Sequence, residues 1–291
     1  MNMPDGPDGL SVAFRAISFA LLLNAAGIAI FSAGFARYVP NSLPTVRRLG
    51  WKLAVGAMFF VAAHQALEAA RMAGEMSGVM DPDMQLLALR STGGAAFAAR
   101  MIGLAFVAVG LWRGAKPAVS AAVAGAILAV SSFTLTGHTS VSPYRPAAAA
   151  LLSIHLLVIA FWLGALWPLY LATSREQPAA AGRLIGAFSA VAAWLVPVIL
   201  LAGLGLTVML VPNLSVFRQP YGQVLLAKIA LFGVLMGLAA FNKWKLGPAA
   251  GDGHSRAVRA LRRTIAIEYG LICIVLALTA VMTTFYSPEA A

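Results

Sequence analysis

Of 291 residues, 60% are hydrophobic and only 11% charged, with a formal net charge of +11 and a single cysteine, Cys273. Soluble domains carry about 25% charged residues, so this composition excludes an ordinary soluble globule, a disordered chain and a disulfide-built secreted domain. A mean hydropathy of +0.84 points instead to helices embedded in lipid.

A helix needs about 20 apolar residues to cross the hydrocarbon core. Eight stretches qualify, at about 12–36, 50–70, 86–112, 118–137, 147–171, 184–211, 221–244 and 261–286. Pro40 and Pro44 follow the first, Pro82 precedes the third and Pro117 opens the fourth. Pro143 and Pro146 precede the fifth, Pro178 follows it, and Pro212 and Pro220 bracket the loop after the sixth. Proline lacks a backbone donor and clashes with the preceding turn, so it favours helix ends. Pro168 and Pro197 fall inside spans and are expected to kink them. The first ten residues are acidic, without the basic segment of a cleavable signal peptide. The expected fold is all-α: one polytopic membrane domain over 1–291, a bundle of eight transmembrane helices whose surroundings are the lipid bilayer.

Charge orients the bundle. Fourteen of the 21 Lys and Arg lie in alternate loops: Arg37, Arg47, Arg48, Lys52; Arg113, Lys116; Arg175, Arg183; Lys243, Lys245, Arg256, Arg259, Arg262 and Arg263. The opposite side holds Arg15, Arg71, Arg90, Arg145 and Arg218 together with most of the acids. The positive-inside rule then places both termini outside, on the periplasmic face of a bacterial inner membrane. Basic loops without interleaved aromatic residues argue against nucleic acid. There is no phosphate-binding G-x-x-x-x-G-K-[ST] loop and no nucleophile beside a base, so no enzyme is expected. The pattern implies no particular oligomeric state.

Three of the four histidines fall toward the outer side: His64 late in the second span, His138 at the end of the fourth, and His155 early in the fifth. Ionisable groups are costly in a membrane and often functional, although a histidine bonding two helices together is the plain alternative. Methionine recurs every four residues in the following outer loop, at Met72, Met76, Met80 and Met84, a spacing that would line one face of a helix. Thioether sulfur is a poor ligand for magnesium, calcium or zinc and a good one for cuprous copper; the alternative is flexible core filling. Imidazoles and thioethers on one face therefore indicate copper. Glu68, one turn after His64, either orients that imidazole or pairs with Arg71. Two histidines on neighbouring spans also suit haem b, the rival reading. Arg100, Lys228 and Glu268 lie within spans, where inward-facing ion pairing is expected. Asn24 and Asn242 are candidate interhelical hydrogen-bonding groups. Cys273 reads as packing.

With these residues assembled, the chain resembles the CopD family of bacterial copper-resistance membrane proteins. The likeness rests on Thr92-Gly93-Gly94 with Arg100, on Gly137-His138, and on Ser153-Ile154-His155-Leu156-Leu157 followed by Phe161 to Leu169, including Trp162. It is most specific over 184–286, through Phe188-Ser189, Ala202-Gly203-Leu204, Pro220-Tyr221-Gly222, Leu225-Leu226-Ala227-Lys228 and Asn242. The resemblance implies eight spans, copper handling at the inner membrane, import into the cell, and a CopC-type periplasmic carrier as a separate partner. A copper-delivery or assembly role without transport is the alternative within the same class.

Overall fold

A computed structural model describes residues 6–137, 143–211 and 213–286. Among these the chain is helical, without strands. The helices are α1 (Gly6–Gly34), α2 (Leu43–Ala73), α3 (Pro82–Arg90), α4 (Thr92–Arg113), α5 (Lys116–Ser131), α6 (Arg145–Arg175), α7 (Pro178–Leu210), α8 (Pro220–Phe241), α9 (Gly247–Gly251) and α10 (Ser255–Phe285). Eight are long and apolar enough to cross a membrane, α8 and α9 belonging to one span across a π-helical turn at Asn242–Leu246. The protein is a multi-pass membrane bundle.

The apolar runs bury unequally. α1 is central, packing on α2, α5, α6 and α10, and its Leu22, Ile28 and Phe31 have no exposed surface. Hydrophobic burial drives nothing between helices already in lipid, so close approach depends on small residues. At the α1–α6 crossing a side chain on Gly27 would overlap the Ala160 carbonyl, and one on Gly164 would meet the Gly27 backbone. By contrast, only 11% of the α7 apolar window and 6% of the α8–α9 window are buried. α7 turns Trp194, Leu201, Leu204 and Val208 outward, and α8 turns Ile229 and Val234 outward, toward lipid.

Polar contacts define the two ends. At the basic end, Glu176 accepts from Asn41 Nδ2 at 2.9 Å and from the Ser42 amide at 2.8 Å, and Arg175 donates to Thr45 Oγ1 at 2.6 Å. At the other end, Arg15 Nη1 donates to the Thr283 carbonyl at 3.1 Å and to Thr284 Oγ1 at 3.0 Å. The first and last spans therefore meet at the same end, as an even number of crossings requires.

Two expectations need correction. The third span does not run unbroken from 86: α3 stops at Arg90, and Ser91 caps a separate α4 by accepting from the Gly93 and Gly94 amides. The methionine loop is not one helix. Gly74 takes φ 76°, ending α2 in the left-handed conformation that glycine favours. A 3₁₀ turn follows at Met76–Val79, and Asp81 then caps α3, whose first residue is Pro82. The fourfold methionine spacing therefore does not map onto one helical face. Pro168 and Pro197 lie inside α6 and α7 without ending them, as the sequence reading expects.

Candidate functional site

At the non-basic end, residues from three helices line a small cavity of about 10 Å³: Arg15, Ser18 and Phe19 of α1, Val61, His64 and Gln65 of α2, and Phe97 and Arg100 of α4. His64 is buried, and its Nε2 lies 3.4 Å from Ser11 Oγ and 3.5 Å from Glu68 Oε1. The same Glu68 oxygen accepts from Arg71 Nη1 at 3.0 Å. The two readings of Glu68 thus coexist: one carboxylate contacts both the imidazole one turn before it and the arginine three residues after.

Arg100 lies roughly 12 Å along α4, at 1.5 Å per residue. Among the described residues the expected ion pair is not formed. Its Nε donates to Ser132 Oγ at 3.0 Å, and its guanidinium sits 4.4 Å over the Phe133 ring. A hydroxyl and the negative face of an aromatic ring thus replace a carboxylate. Among the described residues Lys228 also has no carboxylate within 4.0 Å, so the ion-pairing expectation fails for it too. Arg15, which reads in the sequence as a flanking charge, lies inside the bundle against α10. The signal was Ser11, Arg15 and Ser18 recurring along an apolar run, which marks one polar stripe.

His155 has different surroundings. It lies roughly 15 Å along α6, facing α7 at Gly203. There a Cβ would stand 3.4 Å from its Cε1 and 3.6 Å from its Nδ1. Among the described residues Nδ1 is buried without a hydrogen bond of normal geometry, while the Ile199 backbone of α7 and Lys228 of α8 are both near enough to act on the ring. His64 and His155 therefore do not share a contact shell. His138 lies outside the described residues. Met72, Met76 and Met80 are 49%, 46% and 85% exposed, which corrects the core-filling alternative for those three; Met84 is half-buried. Among the described residues no group of three or more His, Cys, Asp or Glu is placed to hold a metal.

A second polar cluster lies deeper. Glu268 of α10 is 3% exposed. It accepts from Trp162 Nε1 of α6 at 3.3 Å and from Asn242 Nδ2, at the end of α8, at 2.6 Å. Thr264 Oγ1 donates to Asn242 Oδ1 at 2.6 Å. Neutral donors, not a cation, thus satisfy this carboxylate, again contrary to the ion-pair expectation. Asn24 bridges α1 and α10, donating to Tyr269 Oη at 2.8 Å. Tyr221, at the start of α8, is buried with Val216 and Met282.

The family model described as Copper resistance protein D matches residues 182–282, and that of the Copper resistance protein D-like N-terminal domain matches residues 3–144. The Copper resistance protein D of Pseudomonas syringae pv. tomato is 28% identical over 312 aligned positions, covering 97% of this chain and 98% of that relative. The chain belongs to the copper resistance protein D family. No solved structure matches it. Membership makes this a copper-related membrane protein. The first matched segment spans α1 to α5 and the second runs from within α7 into α10, while α6, carrying His155 and Trp162, lies between them.

Proposed function

We propose that the protein accepts copper at the end of the bundle opposite the basic loops, that this end faces the periplasm across the inner membrane, and that the metal then passes through a single eight-helix unit into the cell. The observation that carries this reading is the exposure of Met72, in the last turn of the helix that holds His64, and of Met76 and Met80 just beyond it. Soft sulfur reaching solvent suits cuprous copper. His155 adds support, because its buried Nδ1 makes no hydrogen bond of normal geometry among the described residues and so keeps a lone pair that a metal could take. In this reading Met72, Met76, Met80 and Met84 capture the ion from water or from a CopC-type carrier. His64, His138 and His155 hold it, with Glu68 orienting His64. Met58, Met236 and Cys273, with Asn242 and Glu268, offer the inner half of a route. The role is binding and transfer rather than catalysis.

The test is metal analysis of the purified protein in lipid nanodiscs after loading with cuprous ion and washing. His155→Ala is expected to lower bound copper at least tenfold at limiting metal. Unchanged copper in each of the three single histidine-to-alanine variants, and in a variant with all four methionines changed to leucine, would overturn the site. A Soret absorption band in the purified protein would replace copper by haem b. Copper bound to proteoliposomes without accumulating inside would reduce import to delivery.

Gly203 offers a check that leaves every candidate ligand in place. Gly203→Ala puts a methyl at ordinary contact distance from the His155 ring, so copper binding should match the wild type. Gly203→Leu overfills that contact and should displace the imidazole, lowering bound copper as His155→Ala does. Equal binding by both variants would remove His155 from the site.

A further inference from the structure

The cavity between α1, α2 and α4 is cationic. Arg15 and Arg100 both line it, and among the described residues neither has a carboxylate within 4.0 Å. The one described carboxylate nearby, Glu68, is already 3.0 Å from Arg71 and 3.5 Å from His64. Donor capacity is left over on every side. Arg100 uses only Nε, on Ser132, and Arg15 only Nη1, on the end of α10. A guanidinium carries five N–H groups in a planar fork, so each arginine retains donors without a described protein partner. Gln65 is 8% exposed and makes no hydrogen bond to the described residues; its amide borders the same cavity. Two uncompensated cations and an unengaged amide around one hole, within a membrane bundle, form an arrangement for negative charge.

Size selects the class. A hole of about 10 Å³ holds about one water-sized guest; a monatomic halide is only slightly larger and enters with a small widening, whereas a tetrahedral oxyanion has no room. Phe19, Phe97 and Val61 supply apolar walls, which suit a weakly hydrated ion. We propose that this cavity is a halide site, occupied by chloride held between Arg15 and Arg100 with the Gln65 amide as a further donor. The site goes beyond the copper reading and exists whether or not copper binds. The anion offsets two positive charges beside His64, whose imidazole must be neutral to take a cation.

The experiment uses the full chain in nanodiscs, stripped of copper by chelator, with sodium chloride exchanged for sodium gluconate at constant ionic strength. Chloride is expected to raise the thermal unfolding midpoint saturably, with gluconate inert, and to show titratable broadening of its ³⁵Cl resonance. Arg100→Gln should abolish both effects. Gln65→Met, which keeps both charges and nearly the same volume, should weaken chloride binding several-fold without unfolding the protein. Identical midpoints in the two salts together with unbroadened ³⁵Cl signal would overturn the site, as would chloride affinity unchanged in Gln65→Met and in whichever of Arg100→Gln or Arg15→Gln folds. Because copper is absent throughout, failure here leaves the copper reading standing, and failure of that reading leaves this one.

Discussion

Gly27→Leu is expected to abolish accumulation of folded protein. A branched side chain at this position cannot rotate out of trouble, because what it meets is the Ala160 carbonyl and the Gly164 backbone rather than the tip of another side chain. Overpacking a core ordinarily costs about 1–3 kcal/mol, when side chains shift to make room. Here α1 and α6 would have to separate. α1 also packs on α2, α5 and α10, so a displacement at its centre spreads to the histidine cavity at one end and to the Asn24–Tyr269 contact. The control is Gly233→Leu, at a site on α8 where an added Cβ meets nothing within 4 Å. Membrane-extracted protein should run as a monodisperse peak on size exclusion for Gly233→Leu and be lost or aggregated for Gly27→Leu. Equal recovery of the two would show that the helices tolerate separation at this crossing.

The eight crossings were legible because each lies in one apolar run, and lipid leaves the backbone little choice but a helix. Prolines and capping residues placed most ends within a few residues. The break at Ser91 escaped because hydropathy averages across one capping serine. The pattern of methionines was legible as soft donors at one end, but not as a face, because the single left-handed Gly74 redirects the chain. Pairing was the least legible property. Whether Arg100 meets a carboxylate, a hydroxyl or a ring depends on how α4 and α5 are rotated and how closely they approach. The same holds for His64 and His155: equal depth along their spans says nothing about which neighbours each faces. Arg15 was counted as a loop charge because its position near the first residues matched the flank of a span, whereas the helix begins at Gly6 and carries it into the bundle.

Glu268→Leu is expected to destabilise the protein by about 2–6 kcal/mol, from two donors each left unpaired at on the order of 1–3 kcal/mol. The opposing effect is real: removing a buried carboxyl removes its desolvation cost, and replacing a whole polar cluster by apolar groups is often neutral. The single substitution, however, removes only the acceptor. Trp162 Nε1 and Asn242 Nδ2 remain, aimed at a leucine within a lipid-embedded bundle where no water can take their place. Glu268→Gln keeps one acceptor oxygen and should fall between wild type and Glu268→Leu. The double variant Glu268→Leu/Asn242→Leu should be less damaging than the sum of its single changes, since the orphaned amide goes with its partner. The location sharpens the expectation: α8 is the least buried span and packs chiefly on α10, so the Asn242–Glu268 bond is a principal polar tie between them. Denaturant unfolding in mixed micelles measures the series, and proteolysis of the 242–254 segment reports whether α8 has come loose. Glu268→Leu as stable as the wild type, with that segment equally protected, would mean that the carboxyl's own desolvation outweighs both hydrogen bonds it accepts.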